Sequence, residues 1–160
     1  MLSFFEILGS ADAPIGILHI AVHASYYNLD PLLAHLNLGG DAIAAAELRG
    51  VRKAALAGGL VFLNACEAGS WGAHLAGASV GLAGAFLENG ASAVIAPLWS
   101  VDDLETLEMA KRILTRIWRG EPIAHVLRDA RHTERQTIDP LAYILWGDVA
   151  GAFPARDRAT

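Results

Sequence analysis

The stretch that most constrains this chain is LVFLNACEAG, residues 60–69. Leu60, Val61, Phe62 and Leu63 form a short, unbroken apolar run behind Gly58 and Gly59. A run without alternation suits a strand covered on both faces, the environment of a parallel sheet packed between helices. The run passes through Asn64 and Ala65 to Cys66, the chain's single cysteine, and then to the turn-forming Glu67-Ala68-Gly69. Ligands of open α/β sheets bind beyond the carboxyl ends of the strands. A thiol there is available for chemistry, although a lone cysteine more often serves as a small buried hydrophobe. Catalysis by Cys66 requires a base delivered from elsewhere in the chain.

The remaining pattern supports the sheet. Residues 15–22 (IGILHIAV), 91–98 (ASAVIAPL) and 142–149 (AYILWGDV) read as three further strands. Between them the spacing predicts helices over residues 3–8, 41–48 with Asp41 as N-cap, and 80–88 closed by Asn89-Gly90. A longer helix starts at Asp102 or Asp103 and runs to Trp118, with Leu104, Leu107, Ala110, Ile113, Leu114 and Ile117 as its apolar stripe. Another follows over residues 122–135, with Pro122 in its first turn. Residues 52–56 read as a further helical turn, residues 26–38 as a loop with a brief strand at 36–38, and residues 70–79 as a glycine-rich mobile segment. Strands alternating with helices define an α/β class with a mainly parallel sheet. The expected organisation is one domain over residues 1–150 and a flexible tail over 151–160.

Composition narrows the function. With 54% hydrophobic and 18% charged residues in 160, the chain has ample interior. A net charge of -5 argues against nucleic acid as a partner. One cysteine makes no internal disulfide, which suits a reducing cytoplasm. The first 14 residues lack the basic region of a signal peptide, and no apolar run reaches the roughly 20 residues of a membrane span, so no membrane partner is expected.

Six histidines are candidates for the base. His35, His74, His125 and His132 fall in loops or on helix faces, where a histidine is ordinarily solvated or satisfied. His19 and His23 share the strand at residues 15–22 and its end. At about 3.3 Å per strand residue they stand roughly 13 Å apart. That is too far to share a zinc ion held at about 2.1 Å, so no metal or other cofactor is expected. His23 and Cys66 each end a buried strand. If those strands are neighbours, the two side chains meet at one sheet edge as a Cys–His pair. The glycine-flanked nucleophile elbow of α/β hydrolases is absent around Cys66, which disfavours a small-molecule hydrolase or amidotransferase.

Four segments, in order, resemble the CHAT domain, a caspase-like group of cysteine peptidases related to separase. LHIAVHA, residues 18–24, is similar to the family's strand ending in His-Gly. LVFLNACEAG resembles its strand ending in Ala-Cys-Glu. GLAGAFLENGASAVIAPLWSVDD, residues 81–103, resembles its helix, strand and Trp-x-Val-x-Asp segment. Gly120 and DPLAYILWGD, residues 139–148, resemble its closing helix and strand.

The resemblance implies a three-layer α/β/α caspase-like fold. This chain would hold the C-terminal portion, with the N-terminal strands missing. It implies a cysteine endopeptidase in which Cys66 is the nucleophile and His23 the acid–base group, acting on protein substrates through a thioester. The backbone N–H groups of Cys66 and Ala24 would form the oxyanion hole. Asp103, with Asp102 beside it, would bind substrate and favour a basic P1 residue. The alternative role of either aspartate is a helix N-cap. A regulatory tetratricopeptide-repeat domain or partner is also implied. Ala24 stands where the family has glycine. That departure and the short N-terminal part favour a second reading, a truncated or inactive module that binds protein.

Overall fold

The computed structural model describes residues 4–9, 13–25, 33–39, 41–49, 53–65, 81–133 and 138–153. The segments at 26–32, 66–80 and 154–160, which include Cys66, His74, the glycine-rich stretch and most of the expected tail, lie outside the described residues.

Strands β1 (Ile17–Ala21), β5 (Leu60–Asn64), β6 (Ala93–Pro97) and β7 (Tyr143–Gly147) form the main sheet in the order β1-β5-β6-β7. β1, β5 and β6 run parallel, and β7 is antiparallel to β6. Leu60, Val61, Phe62 and Leu63 are each 0% exposed, as the uninterrupted apolar run requires of a strand covered on both sides. Alternate side chains feed two cores. Val61, Leu63, Val94 and Ala96 pack with α2 (Ala45–Leu48), α3 (Leu82–Glu88), the 3-10 turn Lys53–Leu56 and Leu8 of α1 (Phe4–Gly9). Leu60, Phe62, Ala93 and Ile95 pack with α4 (Asp103–Trp118) and α5 (Ile123–Thr133). The result is a three-layer α/β/α protein with a mostly parallel sheet.

Gly59 tightens the entry to β5. A Cβ there would overlap the Ile15 carbonyl oxygen, so only glycine lets the chain pass this close to the start of β1. The Leu60 N–H then donates to the Gly16 carbonyl at 2.9 Å, and the β1–β5 ladder runs from Ile17↔Leu60 to Ala21↔Asn64.

Several elements differ from expectation. Residues 41–44 are a strand, β4 (Asp41–Ala44), and not the first turn of a helix. Gly39, at φ 66°, turns the chain so that β4 pairs antiparallel with β3 (His35–Leu38), from Leu38↔Asp41 to His35↔Ala44. Cross-strand pairing there outweighs the helix propensity of the alanines. Helix α2 starts only at Ala45, with the Glu47 carboxylate accepting the Ala44 N–H at 2.8 Å. β3 also pairs with β2 (His23–Ser25), so a small antiparallel sheet, β2-β3-β4, joins the four-stranded one. The expected last strand is shorter, follows the brief helix α6 (Asp139–Ala142), and runs antiparallel.

Helix α4 is rotated relative to the expected stripe. Thr106, Met109, Ala110, Ile113 and Ile117 are buried, whereas Leu104 is 77% and Leu107 37% exposed. The start of the helix sets this phase. Asp102 caps it, accepting the N–H groups of Leu104 at 2.9 Å and Glu105 at 3.1 Å, and Thr106 turns inward to donate its hydroxyl to the Asp102 carbonyl at 2.6 Å.

The two faces of α4 and β5 predict opposite responses to truncation. Phe62→Ala removes a ring from the dry interior and should cost about 3–5 kcal/mol in urea unfolding. Leu104→Ala should stay within about 0.5 kcal/mol of the parent. Comparable losses from both would contradict this phase.

Candidate active site

The carboxyl ends of β1 and β5 lie side by side. Their last paired residues are Ala21 and Asn64. His23 stands two residues beyond Ala21 and Cys66 two beyond Asn64. The strands leading to the two candidate residues are therefore parallel neighbours and end at the same level. Cys66 itself is outside the described residues. The chain bends at Val22, so that β1 stops at Ala21 and His23 opens β2 with its side chain exposed. His23 pairs across to Asn37 in the small sheet, which tethers the segment carrying the imidazole to a second set of strands.

Ala24 alternates with His23 and packs against the core beside the small sheet. Its methyl group is thus engaged with hydrophobic neighbours. Asp102 is the α4 N-cap, as the capping interpretation anticipates, and its own N–H donates to the Asp139 carboxylate at 2.8 Å. Asp103 is the first residue of α4; its side chain is outside the described set.

Among the other histidines, His35 lies with Nδ1 3.2 Å from the Leu33 carbonyl, and His125 and His132 are exposed on α5. His19, on β1, sets its ring edge-on against Phe62, with centroids 5.5 Å apart at 80°. Phe62 in turn stacks on Tyr143 at 5.6 Å. Although His19 as a residue still reaches solvent, this packing partly desolvates the imidazole and lowers its pKa from the ordinary 6.5. Among the described residues no group of three or more His, Cys, Asp or Glu side chains could hold a metal ion. No helix there is long and apolar enough to cross a membrane.

Three further polar residues meet at this edge. The Tyr143 hydroxyl donates to Asn64 Oδ1, and Asn64 Nδ2 donates to Thr106 Oγ1 at 3.4 Å. Asn64 had a signal of its own, as the one polar side chain closing a fully apolar run. Thr106 and Tyr143 had none, because their convergence depends on how α4 and β7 are set on the sheet.

A mostly parallel sheet between two helical layers, with a histidine and a cysteine following neighbouring strands, defines a protein of the caspase-like α/β class. The family model for the CHAT domain matches residues 5–153, and the chain belongs to that family, which is related to caspase-like cysteine peptidases. No curated protein matches the chain.

The lowered His19 pKa has a signed consequence. Its folded-state value lies below its unfolded value, so on acidification the unfolded chain takes up this proton first. Stability present at neutral pH is lost as pH falls through the ordinary histidine range toward the folded value. His19→Gln should lose less unfolding free energy than the parent between pH 7.5 and pH 5 in urea titrations; parallel losses would remove His19 from the account.

Proposed function

We propose that this domain is a caspase-like cysteine endopeptidase acting on protein substrates through a His23–Cys66 dyad. The observation that carries the reading is the parallel β1–β5 ladder ending at Ala21↔Asn64, which aligns the exits toward the two residues. The Cys66 thiolate attacks the scissile carbonyl, and the carbonyl electrons move onto oxygen. Backbone N–H groups of Cys66 and Ala24 hold that oxyanion; one such donor typically contributes about 3 kcal/mol. Collapse of the tetrahedral species breaks the C–N bond as the His23 imidazolium gives its proton to the leaving amine, and a thioester remains. His23 then takes a proton from water, whose oxygen attacks the thioester and releases the carboxylate and Cys66.

Asp103 supplies the preference for a basic P1 residue, through its charge at the start of α4. Asp102 supports it by holding the helix start. The natural setting would be the cytoplasm, with a repeat domain or partner controlling access. One observation favours the second reading, a protein-binding module without activity. Leu104, Leu107 and Trp118 leave apolar surface on one flank of α4, with Trp118 46% exposed.

Labelling by a peptidyl chloromethylketone with arginine at P1 tests the leading reading. The parent should be labelled at Cys66, and Cys66→Ala should lose labelling with its circular dichroism unchanged. Equal labelling of Cys66→Ala would discard the nucleophile. Asp103→Ala should lower kcat/KM at least about 10-fold for arginine over leucine at P1, the scale of one lost charge pairing. A uniform loss across P1 types would make Asp103 a structural residue alone.

A further inference from the structure

The carboxyl edge of the main sheet carries a polar chain that crosses four elements. Tyr143 opens β7, two strands from β5, and reaches past β6 to donate its hydroxyl to Asn64 Oδ1. Asn64 Nδ2 donates to Thr106 Oγ1 at 3.4 Å. Thr106 donates onward to the Asp102 carbonyl at 2.6 Å, and the Asp102 N–H donates to Asp139 of α6 at 2.8 Å. Tyr143 is 0% and Thr106 1% exposed, so these two hydroxyls have exchanged water for protein partners.

The direction of every bond is determined. A threonine hydroxyl has one proton, and that of Thr106 goes to the Asp102 carbonyl. Toward Asn64 it can only accept, so Asn64 must present its NH2 group there and its carbonyl oxygen to Tyr143. Tyr143 must then donate. Asn64 therefore has one amide orientation, and the end of β5 is tied to the start of α4 and the start of β7. Apolar side chains would fill this space without the cost of desolvating three polar groups. What the polar chain adds is a defined relative position for the segments it joins.

Those segments matter for the reaction. Asn64 lies two residues before Cys66, and Asp102 immediately precedes Asp103. We propose that Asn64, Thr106 and Tyr143 are positioning residues that fix the exit toward the nucleophile relative to the acid at the start of α4. The proposal rests on Cys66 being the nucleophile. Displacement of a reacting group by about 1 Å can cost on the order of 100-fold in rate, so a clamp two residues before the nucleophile in the chain acts on turnover.

Near-isosteric variants test it. Tyr143→Phe removes one oxygen, Thr106→Val removes the hydroxyl at similar volume, and Thr106→Ser keeps it. On an arginine-P1 peptide, kcat should fall about 10-fold or more in Tyr143→Phe and Thr106→Val with KM within about 2-fold, and Thr106→Ser should stay near the parent. Cys66 is the only cysteine, so iodoacetamide alkylation of the folded protein reads that thiol alone. Its rate should change at least about 3-fold in the first two variants and not in Thr106→Ser. Folded variants with parental kcat and alkylation rate, or a change in KM alone, would overturn the clamp. If the parent hydrolyses no peptide, the peptidase reading fails, and alkylation alone decides the clamp. Should Thr106→Val not fold, Tyr143→Phe carries the comparison.

Discussion

The parallel pairing of β1 with β5 is the constraint on which the rest of the structure depends. Its register is held from both ends. At the entry, Gly59 passes beneath the Ile15 carbonyl, where any side chain would collide. At the exit, Asn64 is bound to Tyr143 and Thr106. Between them, four consecutive residues of β5 fill two cores of different shape. A slip of one residue would send Phe62 away from His19 and Tyr143 and into the layer built by α2 and α3. Close-packed interiors do not absorb such an exchange of volumes. The level at which the two strands end is thus a consequence of packing along their whole length.

The chain treats its two candidate reacting groups differently. His23 is exposed and sits on the small sheet, anchored through β3 to β4. On the main sheet, β5 ends at the half-buried Asn64, held by its hydrogen bonds to Tyr143 and Thr106. The two sheets are joined where β1 passes through Val22 into β2, so His23 belongs to the small sheet and Asn64 to the main one. Ala24 fits this arrangement: with its methyl group packed against the core, alanine in place of the family's glycine fills hydrophobic space.

Much of this was legible in the sequence, because burial of β5 and β6 on both faces writes itself as unbroken apolar runs. The start of α4 was legible too, since Asp102 is a side chain of the right kind in the right place for a cap. The small sheet was not. DAIAAAEL carries helix-forming residues throughout, and only pairing with β3 turns its first half into a strand. The face of α4 is not legible either, because Leu104 and Leu107 are apolar yet exposed, while Thr106 is polar yet buried through its bonds to Asp102 and Asn64. Residue type alone does not reveal which polar group will find a partner. The Asn64–Tyr143 contact joins residues 79 positions apart, and no local pattern announces it.

The measurement that bears most directly on the account is a crystal structure of the chain carrying a peptidyl chloromethylketone. The inhibitor should be bonded to Cys66 Sγ, with the His23 ring nitrogen within about 4 Å of that sulfur, the reach of a nucleophile and its base allowing for loosened geometry. A sulfur facing the opposite layer, or an imidazole more than about 8 Å away with the β1–β5 ladder intact, would contradict it.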